Sequence, residues 1–107
     1  MSNRWRARFA LEVFVYRVAR GIGSLAAALR GLDGIVFTAG IGEHAVPVRA
    51  AICGACAWLG VDVDPTANAA HGPRITRPGA RVAAYVVPTD ENLMIARHAR
   101  AVIAEGR

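Results

Sequence analysis

"GIVFTAGIGEH", residues 34–44, decides how the chain is read. Residues 34–39 are short, apolar and partly β-branched, as suits a strand buried on both faces. Gly40 and Gly42 then make a tight turn, and a helical pattern begins near Val46. Where a strand ends in glycines and a helix starts, unpaired backbone N–H groups point outward. Such a turn accepts a phosphate, and the missing Cβ atoms let a nucleotide approach the main chain. A lone G-x-G is weak, because a tight connection between packed elements uses the same residues. The dinucleotide fingerprint needs a third glycine, and position 45 is alanine.

Upstream, residues 3–30 carry apolar side chains at Phe9, Val13, Tyr16, Ala19, Ile22, Leu25 and Leu29, the spacing of one helical face. Gly21 and Gly23 soften the centre of this helix and mark either a bend or the close approach of another backbone. Downstream, residues 46–59 read as a second helix, with Pro47 in the first turn and Gly60 as its stop. "VDVDP", residues 61–65, alternates as a short exposed strand does. "RITRPGARVAAYVVP", residues 74–88, reads as two strands around Pro78-Gly79, a pair suited to a type II turn. After Pro88, "TDENLMIARHARAVIAE" predicts a final helix with apolar positions at Leu93, Met94, Ile95, Ala99, Val102 and Ile103, capped by Thr89 or Asp90. Helix, strand, helix, hairpin-like strands and helix together predict an α/β or α+β layer.

The second stretch with chemical content is "VVPTDENL", residues 86–93, where acids follow the end of an apolar strand. Ligands of α/β sheets bind beyond the carboxyl ends of strands, which places Asp90 and Glu91 where a metal ion or water could be held. Acids at a helix start also stabilise it by roughly 0.3–1 kcal/mol with no ligand at all.

Composition narrows the choices. At 107 residues the chain is one domain or part of one, and 54% hydrophobic with 20% charged residues is the make-up of a folded chain. A formal charge of +5 brings anionic partners into consideration. The arginines are nevertheless scattered; only Arg4, Arg6 and Arg8 cluster, and no basic stripe with interleaved aromatics favours nucleic acid. All thirteen basic residues are arginine, so neither a P-loop nor a pyridoxal-phosphate Schiff base can be built, since each requires lysine. Glu12, Arg17 and Arg20 interrupt the first apolar stretch before it reaches the roughly 20 residues of a membrane span. The chain start lacks the uninterrupted apolar centre of a signal peptide, and the expected location is cytoplasmic. Cys53 and Cys56 make a "CGAC", but within a helix rather than at its start after a strand. With no second pair and no finger-like spacing of His44, His71 and His98, they read as two small buried residues of a packed helix.

"LDGIVFTAGIGEHAVPVR" followed by "VAAYVVPTDENLMIARHA" resembles the C-terminal portion of acetate kinases and of the related propionate and butyrate kinases. In that family a strand ending F-T-[GA]-G-I-G-E-N turns around the nucleotide, and a later strand ends P-T-[ND]-E-E. The opening helix is similar too, so the resemblance runs from about Arg6 to Ile103 and rests on two motifs in the right order. It implies an α/β fold, part of a ribonuclease-H-like lobe of the acetate and sugar kinase, heat-shock cognate and actin superfamily. Residues 1–107 would form a single partial domain. It implies ATP contacts at Gly40, Ile41, Gly42, Glu43 and His44 and a magnesium ligand at Glu91. His44 stands where asparagine is usual, and Asn92 where a second glutamate is usual. The implied reaction is reversible transfer of the ATP γ-phosphoryl group to a short carboxylate. The family's acyl-substrate and catalytic residues belong to parts upstream of these motifs. The resemblance therefore implies a segment that is inactive alone, with ATP or ADP as ligand and carboxylate only in the full-length parent. The competing expectation is a module without catalysis that pairs with itself or with a complementary chain.

Overall fold

A computed structural model describes residues 2–38, 45–87 and 101–104, with side chains for 5–38 and 45–87. Helix α1, Ser2–Leu29, leads into strand β1, Gly34–Thr38. Helix α2, Ala45–Ala55, continues into a short 3-10 turn, Ala57–Leu59. A five-residue helix α3, Pro65–Ala69, precedes strand β2, Ala83–Val87, and strand β3 is Ala101–Ala104. The three strands form one sheet in the order β2-β1-β3, and both pairings are parallel.

The central position of β1 follows from its composition. Ile35, Val36 and Phe37 are fully buried, so both faces of the strand must be covered, as in the middle of a parallel sheet. Each such side chain contributes roughly 1.5–3 kcal/mol by leaving water. On α2, the buried residues Ala45, Val48, Arg49, Ile52 and Cys53 recur at three and four and form one face. That face meets Ile22 and Ala26 of α1 and Ile75, Ala84 and Val86 in a common core.

The predicted α1 is one continuous helix, but only Ala19 and Ile22 of its predicted face pack in or against the core. Leu11, Phe14, Val15, Val18 and Ala19 lie half-buried against the core ahead of Ile22 and Ala26, whereas Phe9, Tyr16, Leu25 and Leu29 are exposed. Apolar residues occupy more than one stripe of this helix, so periodicity alone does not select which stripe is covered. The helix runs without a break through both glycines. A Cβ at Gly23 would lie 3.3 Å from the Trp58 ring, so that position admits a side chain and not another backbone, and Gly21 has open space beside it. The helix ends in a Schellman arrangement: Arg30 is left-handed, φ 61°, its N–H reaching the Ala27 carbonyl at 3.3 Å, and the Gly31 N–H reaches that of Ala26 at 2.8 Å.

Further differences concern the segment between α2 and β2. Residues 61–65 form no strand; Val63 makes only an isolated antiparallel bridge to Thr76. Of the two arms predicted around Pro78-Gly79, only the second is a strand. The first is tied to β2 by single contacts, the Ile75 N–H to the Ala84 carbonyl at 2.9 Å and the Val86 N–H to the Pro73 carbonyl at 2.7 Å. The turn closes through the Ala80 N–H and the Arg77 carbonyl at 3.0 Å, but Gly79 lacks the positive φ that a type II turn requires. Helix α3 was not anticipated. Asp64 caps it, accepting from the Thr66 N–H at 3.0 Å, and Pro65 occupies the first turn, where its missing N–H is not needed. The second helix stops short of Leu59, with Gly60 left-handed at φ 101° after the 3-10 turn, so its role as a stop stands. Residues 101–104 are a strand rather than the end of a helix. "AVIA" is short and apolar and fits beside the buried β1, where backbone pairing replaces helical bonds. The helix predicted after Pro88 falls up to residue 100 outside the described residues.

Cys53 and Cys56 are free and buried, on and just after α2, as expected of small core residues. Burial pushes the Cys53 thiol up to about 12, with Cys56 adding to the rise and the Arg49 charge opposing it; burial also raises Cys56. A redox-active thiol needs the opposite shift. Because the folded-state value of Cys53 lies above the unfolded one, near 9.0, its contribution to stability is complete below pH 9 and is lost as pH rises toward 12. Thermal melts at increasing pH should show stability falling across that window, with a smaller fall in Cys53→Ala; equal slopes in the two proteins would contradict this assignment.

Candidate functional site

The carboxyl edge of the sheet is where both sequence motifs leave the fold. The parallel register of β1 and β2 pairs Gly34 with Ala83 and ends by pairing Thr38 with Val87. Strand β1 is followed directly by residues 39–44, and β2 by residues 88–91. Two neighbouring strands therefore release the glycine-rich segment and the acidic segment from adjacent positions on one edge. Gly40, Ile41, Gly42, Glu43, His44 and Glu91 themselves lie outside the described residues.

On the far side of the glycine segment, α2 is anchored by a polar cluster that the sequence pattern does not reveal, with Arg49 and Asn68 buried and His71 at the surface. Arg49 is completely buried. Its Nε donates to Oδ1 of Asn68 at 2.8 Å, and its Nη2 donates to the Asn68 backbone carbonyl at 3.0 Å. The same Nη2 lies 2.8 Å from Nδ1 of His71, which must accept, since a guanidinium only donates. Asn68, also buried, uses its Nδ2 to donate to the Val46 carbonyl at 3.0 Å. One asparagine thus grips α2 twice, at its second residue and at its buried arginine. The N-cap residue Asp64 followed by Pro65 is the local sequence signal for the helix that carries it. Burial pulls the Arg49 guanidinium down from its ordinary value, with the neighbouring Cys53 acting in the opposite direction.

The end of β1 at Thr38 and the start of α2 at Ala45 flank residues 39–44, which lie outside the described residues. Among the described residues, no group of three or more His, Cys, Asp or Glu side chains gathers as a metal site. No described helix is long and apolar enough to cross a membrane.

The fold and sequence are similar to those of known proteins. An acetate kinase from Rhodopseudomonas palustris (strain TIE-1) is 56% identical over 100 residues, covering 92% of this chain and 25% of its own length. The crystal structure of the Porphyromonas gingivalis acetate kinase superposes with a TM-score of 0.72 at 35% identity, over 90% of this chain and 25% of that one. A propionate kinase from Francisella tularensis superposes with a TM-score of 0.68, also at 35% identity, over 87% of this chain and 24% of that one. The expected fold, part of a lobe of the acetate and sugar kinase, heat-shock cognate and actin type, is that of these neighbours. The chain spans about a quarter of the length of the relatives it matches. A sequence model of the acetokinase family matches residues 1–97, and by that match the chain belongs to the acetokinase family.

Proposed function

We propose that this chain is the C-terminal, nucleotide-side segment of an acetate kinase-type phosphotransferase. In the reaction, a short-chain carboxylate oxygen bonds to the γ-phosphorus of ATP and the bond from that phosphorus to the β,γ-bridging oxygen breaks, giving an acyl phosphate and ADP. Gly40, Ile41, Gly42, Glu43 and His44 form the turn that receives ATP, and Glu91 is the ligand for Mg2+. The observation that carries the reading is the register between Thr38 and Val87, which starts both segments from one edge. Donor chemistry fits as well: Glu91 supplies a hard carboxylate oxygen, and Mg2+ is bound through one or two carboxylates together with substrate phosphates. When bound, the ion neutralises charge on the phosphate oxygens. The chain's own part is to orient the phosphates with main-chain N–H groups and to hold the helix behind them still.

Phosphoryl transfer depends on positioning and charge stabilisation from both sides of a cleft. The carboxylate-binding and catalytic groups belong, in this reading, to the remainder of a protein about four times as long, as the relatives are. The segment alone binds nucleotide and does not turn over. A cytoplasmic location, where ATP is available, follows from the same reading.

A second reading rests on the surface. Trp5, Phe9, Tyr16 and Trp58 are each about 60% exposed or more, and an open apolar groove of about 470 Å³ lies between α1 and α2, lined by Leu11, Val15, Pro47 and Val48 among others. Exposed apolar surface of this kind favours association, with a second copy or a complementary chain.

Titrating the 15N-labelled chain with Mg-ATP should shift the Gly40 and Gly42 amides at millimolar nucleotide, and Glu91→Gln should remove most of the difference between ATP with and without magnesium. No shift of either glycine would contradict the nucleotide assignment. Sedimentation velocity over a range of concentrations should show self-association if the second reading holds; a clean monomer at high concentration would count against it.

A further inference from the structure

We infer that the groove between α1 and α2 is the docking site for an amphipathic helix with an acidic edge, presented by a complementary chain. The inference rests on the second reading above and deepens it by naming the chemistry of the partner.

The shape comes from unequal side chains. Leu11 and Val15 line the groove from α1, and Val48, Ala51 and Ala55 line it from α2. Ala51 and Ala55 stand one turn apart on one face, and their methyl groups leave open the space that larger residues would fill. The groove follows each helix for about two turns, from Arg8 to Tyr16 on α1 and from Pro47 to Ala55 on α2. A partner helix that carries apolar side chains at i, i+3, i+4 and i+7 can lay them into a cleft of this length.

Charge decides which helix. In α1, Arg4, Arg6, Arg8, Arg17 and Arg20 stand against one acid, Glu12, and α2 contains no acid. Among the described residues the only ion pair of α1 joins Arg8 to Glu12, exposed and long at 3.9 Å, so Arg6, Arg17 and Arg20 face no carboxylate. At about 100° per residue, the exposed Trp5, Phe9 and Tyr16 come next around the helix after Glu12, and Arg20, Arg6 and Arg17 come after them. A helix seated in the groove and against the aromatic stripe therefore sets its outer edge beside a row of arginines. Glutamates on that edge complement the row, and lysines there oppose it.

Other occupants match this surface less well. A second copy using the same face brings the arginine row against itself, with only Glu12 to offset it. An anionic bilayer attracts arginines and takes up aromatic rings, but a surface flat on this scale does not place side chains in a cleft between two helices.

The test uses two fluorescein-labelled, hydrocarbon-stapled helical peptides with leucine at i, i+3, i+4 and i+7, one with glutamates along an edge and one with lysines there. Followed by fluorescence anisotropy, the chain should bind the acidic peptide and not the basic one, and binding should weaken as salt rises. Ala51→Arg, at an exposed position, should block the groove and abolish binding; Ala55→Arg serves if the first variant does not fold. Arg17→Glu/Arg20→Glu should weaken binding on the order of tenfold. Thermal melts check that each variant keeps the fold. Equal binding of the two peptides, or binding of the acidic one unchanged in Ala51→Arg, would overturn the inference. So would vesicles of phosphatidylserine and phosphatidylcholine that bind the chain when neither peptide does. Self-association in sedimentation that Ala51→Arg disperses, without peptide binding, would sustain the second reading with a second copy as partner and overturn this inference. A monomer that binds neither peptide would overturn both.

Discussion

Parallel pairing of β1 with β2 is the constraint on which the remaining structure depends. Strand β1 can be fully buried only if backbone partners lie along it and helices or loops cover its faces. β2 and β3 supply the partners, and the faces of α1 and α2 contribute the cover. A parallel neighbour has a consequence that an antiparallel one does not: both strands end on the same edge. Because the register closes at Thr38 and Val87, the two segments that follow them begin side by side although 49 residues separate those ends in sequence. In the proposed reading, chemistry that needs main-chain donors and a carboxylate together draws on that single topological fact.

Beyond this edge of the sheet the chain continues into α2. Behind the start of that helix, a buried arginine and asparagine bind the first turns of α2 to α3. In the proposed reading, a helix start held in this way supports the positioning that phosphoryl transfer requires.

Much of this was legible in the sequence, and the exceptions have identifiable causes. β1, the long α1 and the start of α2 announce themselves through runs of apolar residues and through Pro47, since burial and local chain geometry act within a few residues. The spacing in α1 picks out Ala19 and Ile22 of the covered face but also the exposed Phe9 and Tyr16, because apolar residues stand on more than one stripe and tertiary packing alone distinguishes them. "VDVDP" alternates like a strand, yet Asp64 and Pro65 begin a helix, where capping outweighs a three-residue pattern. At 101–104 the apolar spacing suits a helix or a strand, and only a partner strand decides. For the candidate site, the glycine and acidic motifs are contiguous and could be read directly. The Arg49 cluster joins positions 19 to 22 apart through side chains whose types occur at any surface, so no local pattern betrays it.

The central claim is that two neighbouring strand ends deliver the glycine corner and Glu91 to one metal–nucleotide complex. Replacing Mg2+ by paramagnetic Mn2+ in a complex with ATP measures it most directly, through the relaxation of each backbone amide. The account predicts strong broadening at Gly40, Gly42 and Glu91 together, with much weaker effects at Gly34 and Ala83 on the opposite edge of the sheet. Broadening of the glycine amides without Glu91, or of Glu91 without the glycines, would contradict it.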